Sequence, residues 1–182
     1  MRKEIIEKLE IPEGIQAEVS EDWVIFKKDG KEIKRRFEGF KIEKEGSEIK
    51  LYCERATKKE KKMIKTLKAH INNIFQGFEK RFEYRLQVCS VHFPMNVSVD
   101  KAKNEVLIKN FLGEVKPRIA KILPGIEVKV EKEIVTVLGE NKEDAGQTAG
   151  NIERSTRIRN RDRRTFQDGI FIIEKPGEKI LI

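Results

Sequence analysis

The chain is written twice, and that repetition narrows its folds more than any other feature. Val24 and Val106 sit in matching apolar runs 82 residues apart, Gly30 and Gly113 follow at a separation of 83, and Thr57 and Asn141 open helical segments 84 apart. The stretch Gly30-Lys31-Glu32-Ile33-Lys34-Arg35 also aligns with Gly113-Glu114-Val115-Lys116-Pro117-Arg118. Offsets this steady at three landmarks mark a duplicated unit. A length of 182 residues then accommodates two small domains, placed at 1–82 and 83–182 with a junction at Glu79–Tyr84.

In the first copy Ile11-Pro12-Glu13-Gly14-Ile15 is an extended lead-in, and Ile15, Ala17 and Val19 alternate. Trp23–Phe26 reads as a buried strand, Asp29-Gly30 as a hairpin turn, and Ile33–Phe37 as the returning strand. Ile42, then Ile49, Leu51 and Cys53 at period two, predict a second hairpin around Gly46. Thr57-Lys58-Lys59-Glu60 has the form of a capping box. Ile64, Leu67, Ile71, Ile74 and Phe78 then make one helical stripe, with Gly77 as its terminator.

The second copy follows the same grammar. Met95, Val97 and Val99 alternate, Val106–Ile108 is a strand, Gly113 closes the turn, and Val115–Ile122 returns. Val128 and Val130 lead into Ile134–Leu138, a helix starts from Asn141, and Ile170–Ile173 forms a last strand. The fold class is α+β: two tandem similar domains, each a small, mainly antiparallel sheet with one packed helix. The second helix is apolar only through Ala145, Ala149 and Ile152 and contains Gly146 and Gly150. Glycine inside a helix costs about 1 kcal/mol relative to alanine. Two readings stay open: tight packing on the sheet, or close approach of an outside ligand.

Charged residues reach 38%, against roughly 25% in an average globular protein, and the formal net charge is +8. That balance favours an anionic partner, whether nucleic acid, acidic protein or acidic membrane. Membrane is the weakest, since no apolar run approaches the roughly 18–20 residues that span a bilayer. The N-terminal stretch lacks the apolar core of a secretory signal, and its acids argue against a transit peptide. Cys53 and Cys89 lie far apart in apolar segments, as buried free thiols of a reducing cytosol would.

The positive charge concentrates after the second helix. Arg154, Arg157, Arg159, Arg161, Arg163 and Arg164 fall within eleven residues, against one internal acid, Asp162. Arginine keeps its charge at any biological pH, and its planar fork fits phosphate two bonds at a time. Arg154 and Arg157 are one turn apart, and Arg161 follows if the helix persists. A second run, Arg55–Lys68, carries Lys58, Lys59 and Lys62, as either a solvated face or secondary phosphate contacts. Aromatics, at 7%, fall mostly at core positions. With no stacking platform in view, an RNA target would be folded and read by shape and backbone.

No catalytic constellation is evident. His70 and His92 lack neighbours that would complete a triad or metal site and take structural roles. Glu143 and Asp144 sit in a first helical turn, where acids suit the dipole. No phosphate-cradling glycine loop or nucleophile elbow occurs.

With these features in place, the chain resembles the large-subunit ribosomal protein L-six family, in its archaeal and eukaryotic-type branch, over nearly its whole length. Ile11–Ile15 and Gly30–Arg35 resemble the family's opening motif and first turn. His92-Phe93-Pro94-Met95 and Asn110-Phe111-Leu112-Gly113-Glu114 are similar to stretches typical of that branch. Asn141-Lys142, Gly146-Gln147, Ala149 and Ile152 resemble the second-domain helix, and Asp168-Gly169-Ile170 the end of the loop after it.

The resemblance implies a cytoplasmic, non-enzymatic protein without cofactor, metal or small-molecule substrate. It binds large-subunit rRNA chiefly through the C-terminal domain, near the sarcin–ricin loop and the landing site of translation factors, among neighbouring ribosomal proteins. With the arginine cluster read from the residues themselves, the expected rRNA contacts are Lys142, Gln147 and the six arginines. Bacterial relatives carry a Pro-, Lys- and Gly-rich loop where this chain has Arg159–Gln167, so charge carries over and individual contacts do not. The alternative is a duplicated basic adaptor docking an acidic protein.

Overall fold

The computed structural model describes residues 3–20, 23–36 and 41–180; the side chains of Lys3, Glu54 and Arg55 lie outside that description, as does Phe37 at the end of an expected strand. The chain divides into two compact units, Met1–Lys80 and Arg81–Ile182.

The first unit runs β1 (Lys3–Glu10), β2 (Gln16–Val19), β3 (Trp23–Lys28), β4 (Lys31–Arg36), β5 (Lys41–Glu45), β6 (Glu48–Ala56) and α1 (Lys58–Glu79). Its antiparallel strands form two sheets, ordered β1-β6-β5 and β2-β3-β4. Asp29 and Gly30 both take positive φ, +49° and +77°, the two-residue geometry that matches strand twist in a hairpin. Period-two burial puts Val24, Phe26, Ile49 and Leu51 inside, against Ile64, Ile71, Ile74 and Phe75 of α1. Phe26 and Phe75 meet edge to face at 5.5 Å.

The capping box of α1 forms: Thr57 N–H donates to Glu60 at 2.8 Å, and Lys59 N–H donates to the Thr57 hydroxyl at 3.2 Å. Gly77 does not end the helix. It is buried inside it, and the stripe carries on through Phe78 until Lys80 turns extended. Strand β1 is not evident from periodicity, because its apolar face, Ile5 and Leu9, is interrupted by Glu7. That carboxylate is matched by Lys68 of α1 at 2.7 Å.

The second unit runs β7 (Phe82–Cys89), β8 (Asn96–Asp100), β9 (Glu105–Lys109), a 3-10 turn (Phe111–Gly113), β10 (Arg118–Lys121), β11 (Glu127–Glu131), β12 (Ile134–Gly139), α2 (Lys142–Ser155), β13 (Gly169–Lys175) and β14 (Glu178–Lys179). Its sheets are ordered β10-β9-β8 and β11-β12-β7-β13-β14. Each pairing of the first unit recurs here, with β7 standing for β1 and β12 for β6. What differs is the edge of β7, which the second unit covers with β13. Strand β10 is shorter than the expected Val115–Ile122: Pro117 has no N–H to donate, and Val115 is 99% exposed.

Candidate nucleic-acid interface

Helix α2 begins where its sequence says it should. Asn141 Oδ1 accepts the N–H of Glu143 at 3.1 Å, and Glu143 and Asp144 occupy the first turn. Ala145, Thr148, Ala149 and Ile152 are buried against the sheets. The two glycines differ in their surroundings. A Cβ on Gly146 would come within 2.9 Å of the Tyr84 hydroxyl, so that glycine lets the helix sit close on β7. A Cβ on Gly150 would meet nothing within 4 Å. By helical spacing Gly150 shares a face with exposed Gln147 and Arg154. Gln147 donates to Asn151 at 2.8 Å, and Asn151 to the Lys121 carbonyl at 3.2 Å, which fixes both amides along that face.

The helix stops at Ser155, so Arg157 and Arg161 are loop residues and not further helical turns. Three groups pin the loop. Thr156 is buried; its hydroxyl donates to the Glu153 carbonyl and accepts the N–H of Ile170 at 2.9 Å. Arg118, visible in the sequence only as part of a repeat, donates to the carbonyls of Ser155 at 2.9 Å and Arg157 at 3.3 Å. Its guanidinium lies 4.2 Å from the Phe111 ring centroid and is forked by Glu114. That bond to Arg118 outweighs partial burial and holds the Glu114 carboxyl below its usual range.

At the far end, buried Asp168 accepts the backbone N–H groups of Val91 and His92 at 2.8 and 2.9 Å and meets His92 Nδ1 at 2.6 Å. Burial opposes its ionisation, but these bonds outweigh burial and keep the carboxyl below the ordinary value. His92 stacks on Phe166 at 4.9 Å, and the Arg161 guanidinium sits 4.8 Å from the same ring. The structural role expected of His92 is thus specific: it anchors the arginine loop from a position 76 residues away.

All six arginines are exposed, Arg154 in the last turn of α2 and the other five between those anchors. Asp162 occupies Arg164 alone, at 3.1 Å. Arg154, Arg157, Arg159 and Arg163 have no carboxylate or side-chain hydrogen-bond partner among the described residues, whereas elsewhere Lys27, Lys50, Lys68, Arg81, Arg85 and Arg118 all face acids. Lys142 lies at the other end of α2, about 18 Å from Arg154 at 1.5 Å per residue, with its ammonium 5.6 Å from the Phe82 ring centroid. Lys58, Lys59 and Lys62 are exposed on the first two turns of α1 in the first unit.

Beneath the loop lies a cavity of about 750 Å³. Its walls include Val91, Ile158, Phe166 and Phe171, with Arg154, Arg157 and Arg163 also lining it. Phe166 and Phe171 are only partly buried, so aromatic surface that the sequence conceals does exist at this place.

Among the described residues no three His, Cys, Asp or Glu side chains gather as metal ligands, and no helix is long and apolar enough to cross a membrane. Cys53 and Cys89 are free and half-buried. Burial, with Glu133 and Asp168 nearby, pushes the Cys89 thiol up, away from the reactive thiolate.

The family model described as Ribosomal protein L6 matches residues 93–169, from the turn after His92 through the loop to the start of β13. Two similar known proteins are both called Large ribosomal subunit protein uL6. That of Methanococcus vannielii is 43% identical over 176 residues, covering 96% of this chain and 96% of its own length. That of Methanosarcina mazei is 43% identical over 177 residues, covering 96% of this chain and 99% of its own length.

Proposed function

This chain belongs to the ribosomal protein L6 family, a structural and non-enzymatic part of the large ribosomal subunit, and from that premise we propose that its second unit grips folded large-subunit rRNA. The observation that carries the proposal is the set of exposed, uncompensated guanidinium groups at Arg154, in the last turn of α2, and at Arg157, Arg159 and Arg163, on the loop pinned at both ends that follows it. A fixed array of charged forks is suited to phosphate oxygens, and holding it open against mutual repulsion is reasonable where an anion arrives from outside.

The face of α2 beside it, Gln147, Gly150 and Arg154, lets a nucleic-acid backbone lie close. Lys142 would meet that backbone at the other end of the helix, with Arg161 and Arg164 reinforcing the loop. Lys58, Lys59 and Lys62 supply secondary phosphate contacts from the first unit. Family resemblance supports a setting in the cytoplasm, among neighbouring ribosomal proteins, near the sarcin–ricin loop and the landing site of translation factors.

The test is a pull-down of the tagged full chain from a native lysate, with and without ribonuclease. Loss of the large-subunit association on digestion supports RNA as the ligand. Persistence would instead favour an acidic protein partner.

A further inference from the structure

We infer that the cavity beneath the arginine loop receives one unstacked nucleobase of the bound rRNA; this rests on reading the second unit as an rRNA binder. Three features of the cavity point there. Its walls offer flat and branched apolar surface, Phe166, Phe171, Ile158 and Val91, in a volume of about 750 Å³ that admits a base with its sugar. Lining it as well, Arg154, Arg157 and Arg163 make no ion pair among the described residues, the nearby Asp168 and Glu153 being engaged with backbone N–H groups, so a nucleotide's own phosphates complement them.

The third feature is that the cavity is formed before any ligand arrives. Phe166 is held by His92 on one side and Arg161 on the other. A Cβ on Gly169 would come within 2.9 Å of the Phe171 ring, so glycine there leaves that ring its place. The polar groups in the wall are largely engaged: Thr156 with Ile170, Asp168 with Val91 and His92, and Glu153 Oε1 with Ile172 N–H at 3.1 Å. The second oxygen of Glu153 remains to accept an N–H from a base edge.

A base leaving its stack needs apolar surface to offset the stacking it gives up, and a base–aromatic pairing is worth enough to do so. A phosphate-only grip would need the guanidinium groups and no apolar recess behind them.

The experiment uses the full chain and in-vitro-transcribed large-subunit rRNA. Val91 is 67% exposed, so V91W narrows the cavity mouth without disturbing the core. V91W should weaken rRNA binding about tenfold and leave the slope of log affinity against log salt unchanged. A benzophenone side chain at position 91 should crosslink to one predominant nucleotide, through its base. Unchanged or tighter binding by V91W, or a reduced salt slope, would overturn the inference. So would crosslinks scattered over many nucleotides, crosslinks to a free nucleoside monophosphate but not to rRNA, or crosslinks to a protein when whole large subunits are used. R154Q and R163Q separate the two readings. If they lower the salt slope while V91W changes nothing, the cavity idea falls and the phosphate grip stands; if none of the three has an effect, both fall.

Discussion

Asp168 Oδ2 lies 2.6 Å from His92 Nδ1, joining the end of the arginine loop to the segment that follows β7. The same carboxylate accepts two backbone N–H groups through its other oxygen, so one buried side chain fixes both the loop and the turn before β8.

Asp168→Asn replaces an oxygen acceptor with a donor facing these groups and should cost about 1–3 kcal/mol near neutral pH. The folded Asp168 carboxyl lies below its unfolded value. Its contribution is therefore complete above the unfolded value of about 3.9 and is lost as pH falls through the folded one. Urea unfolding of both proteins should show a gap at pH 7 that narrows below about pH 4. A gap constant across that range would contradict the assignment.

The arginines should report themselves through salt. Replacing Arg154, Arg157, Arg159 and Arg163 together by Gln should lower the log–log salt slope of rRNA binding by about 3, at 0.7–0.9 for each phosphate no longer neutralised. Thermal stability should stay within about 2 °C, because these side chains bond nothing among the described residues. Lys58→Gln, Lys59→Gln and Lys62→Gln should lower the slope by a smaller amount.

The two glycines of α2 should respond in opposite senses. Gly146→Ala drives a methyl toward the Tyr84 hydroxyl and should destabilise by about 1–3 kcal/mol. Gly150→Ala should stabilise the fold by about 0.5–1 kcal/mol, since the space is open, while weakening rRNA binding. Denaturant unfolding and filter binding on the same samples check the pair. A Gly150→Ala protein that binds rRNA as well as the wild type would contradict close approach at that turn.

Arg118 positions the loop without being proposed to touch the ligand. Arg118→Lys should fail to restore what Arg118→Ala loses, because an ammonium cannot span two carbonyls and both Glu114 oxygens. Both variants should lose about 1–2 kcal/mol and bind rRNA more weakly at an unchanged salt slope. A fall in slope equal to that of a loop arginine would make Arg118 a direct contact.

Much of this architecture is written locally. Alternation at Val24–Phe26 and Val106–Ile108, the Asp29-Gly30 turn, the Thr57–Glu60 box and the Asn141 cap are short-range signals, and each element appears where its signal lies. What the sequence hides is long-range. Glu7 disguises β1 because its partner, Lys68, is 61 residues away. Arg118 and Thr156 hold the chain where α2 ends, at Ser155, and no breaker in the helix's own sequence marks that point, so helical spacing alone leaves open whether it persists toward Arg161. The arginines announce themselves by composition, but that Arg154, Arg157, Arg159 and Arg163 lack side-chain partners among the described residues is a fact of three dimensions. His92 and Asp168 sit in two separately recognisable motifs, and only folding shows that they touch. Phe166 reads as a loop residue and Phe171 as part of a strand, and nothing nearby in sequence reveals the cavity they line.

The placement of Thr156 and Asp168 has a further consequence. With the termini of the intervening segment fastened by these two residues, the sheet has little stake in what lies between. Apart from Ile158, which packs on the core, and Phe166, which stacks on His92, side chains from Arg157 to Gln167 can be exchanged with little penalty to folding. The scaffold and the chemistry displayed on it are thereby free to change separately.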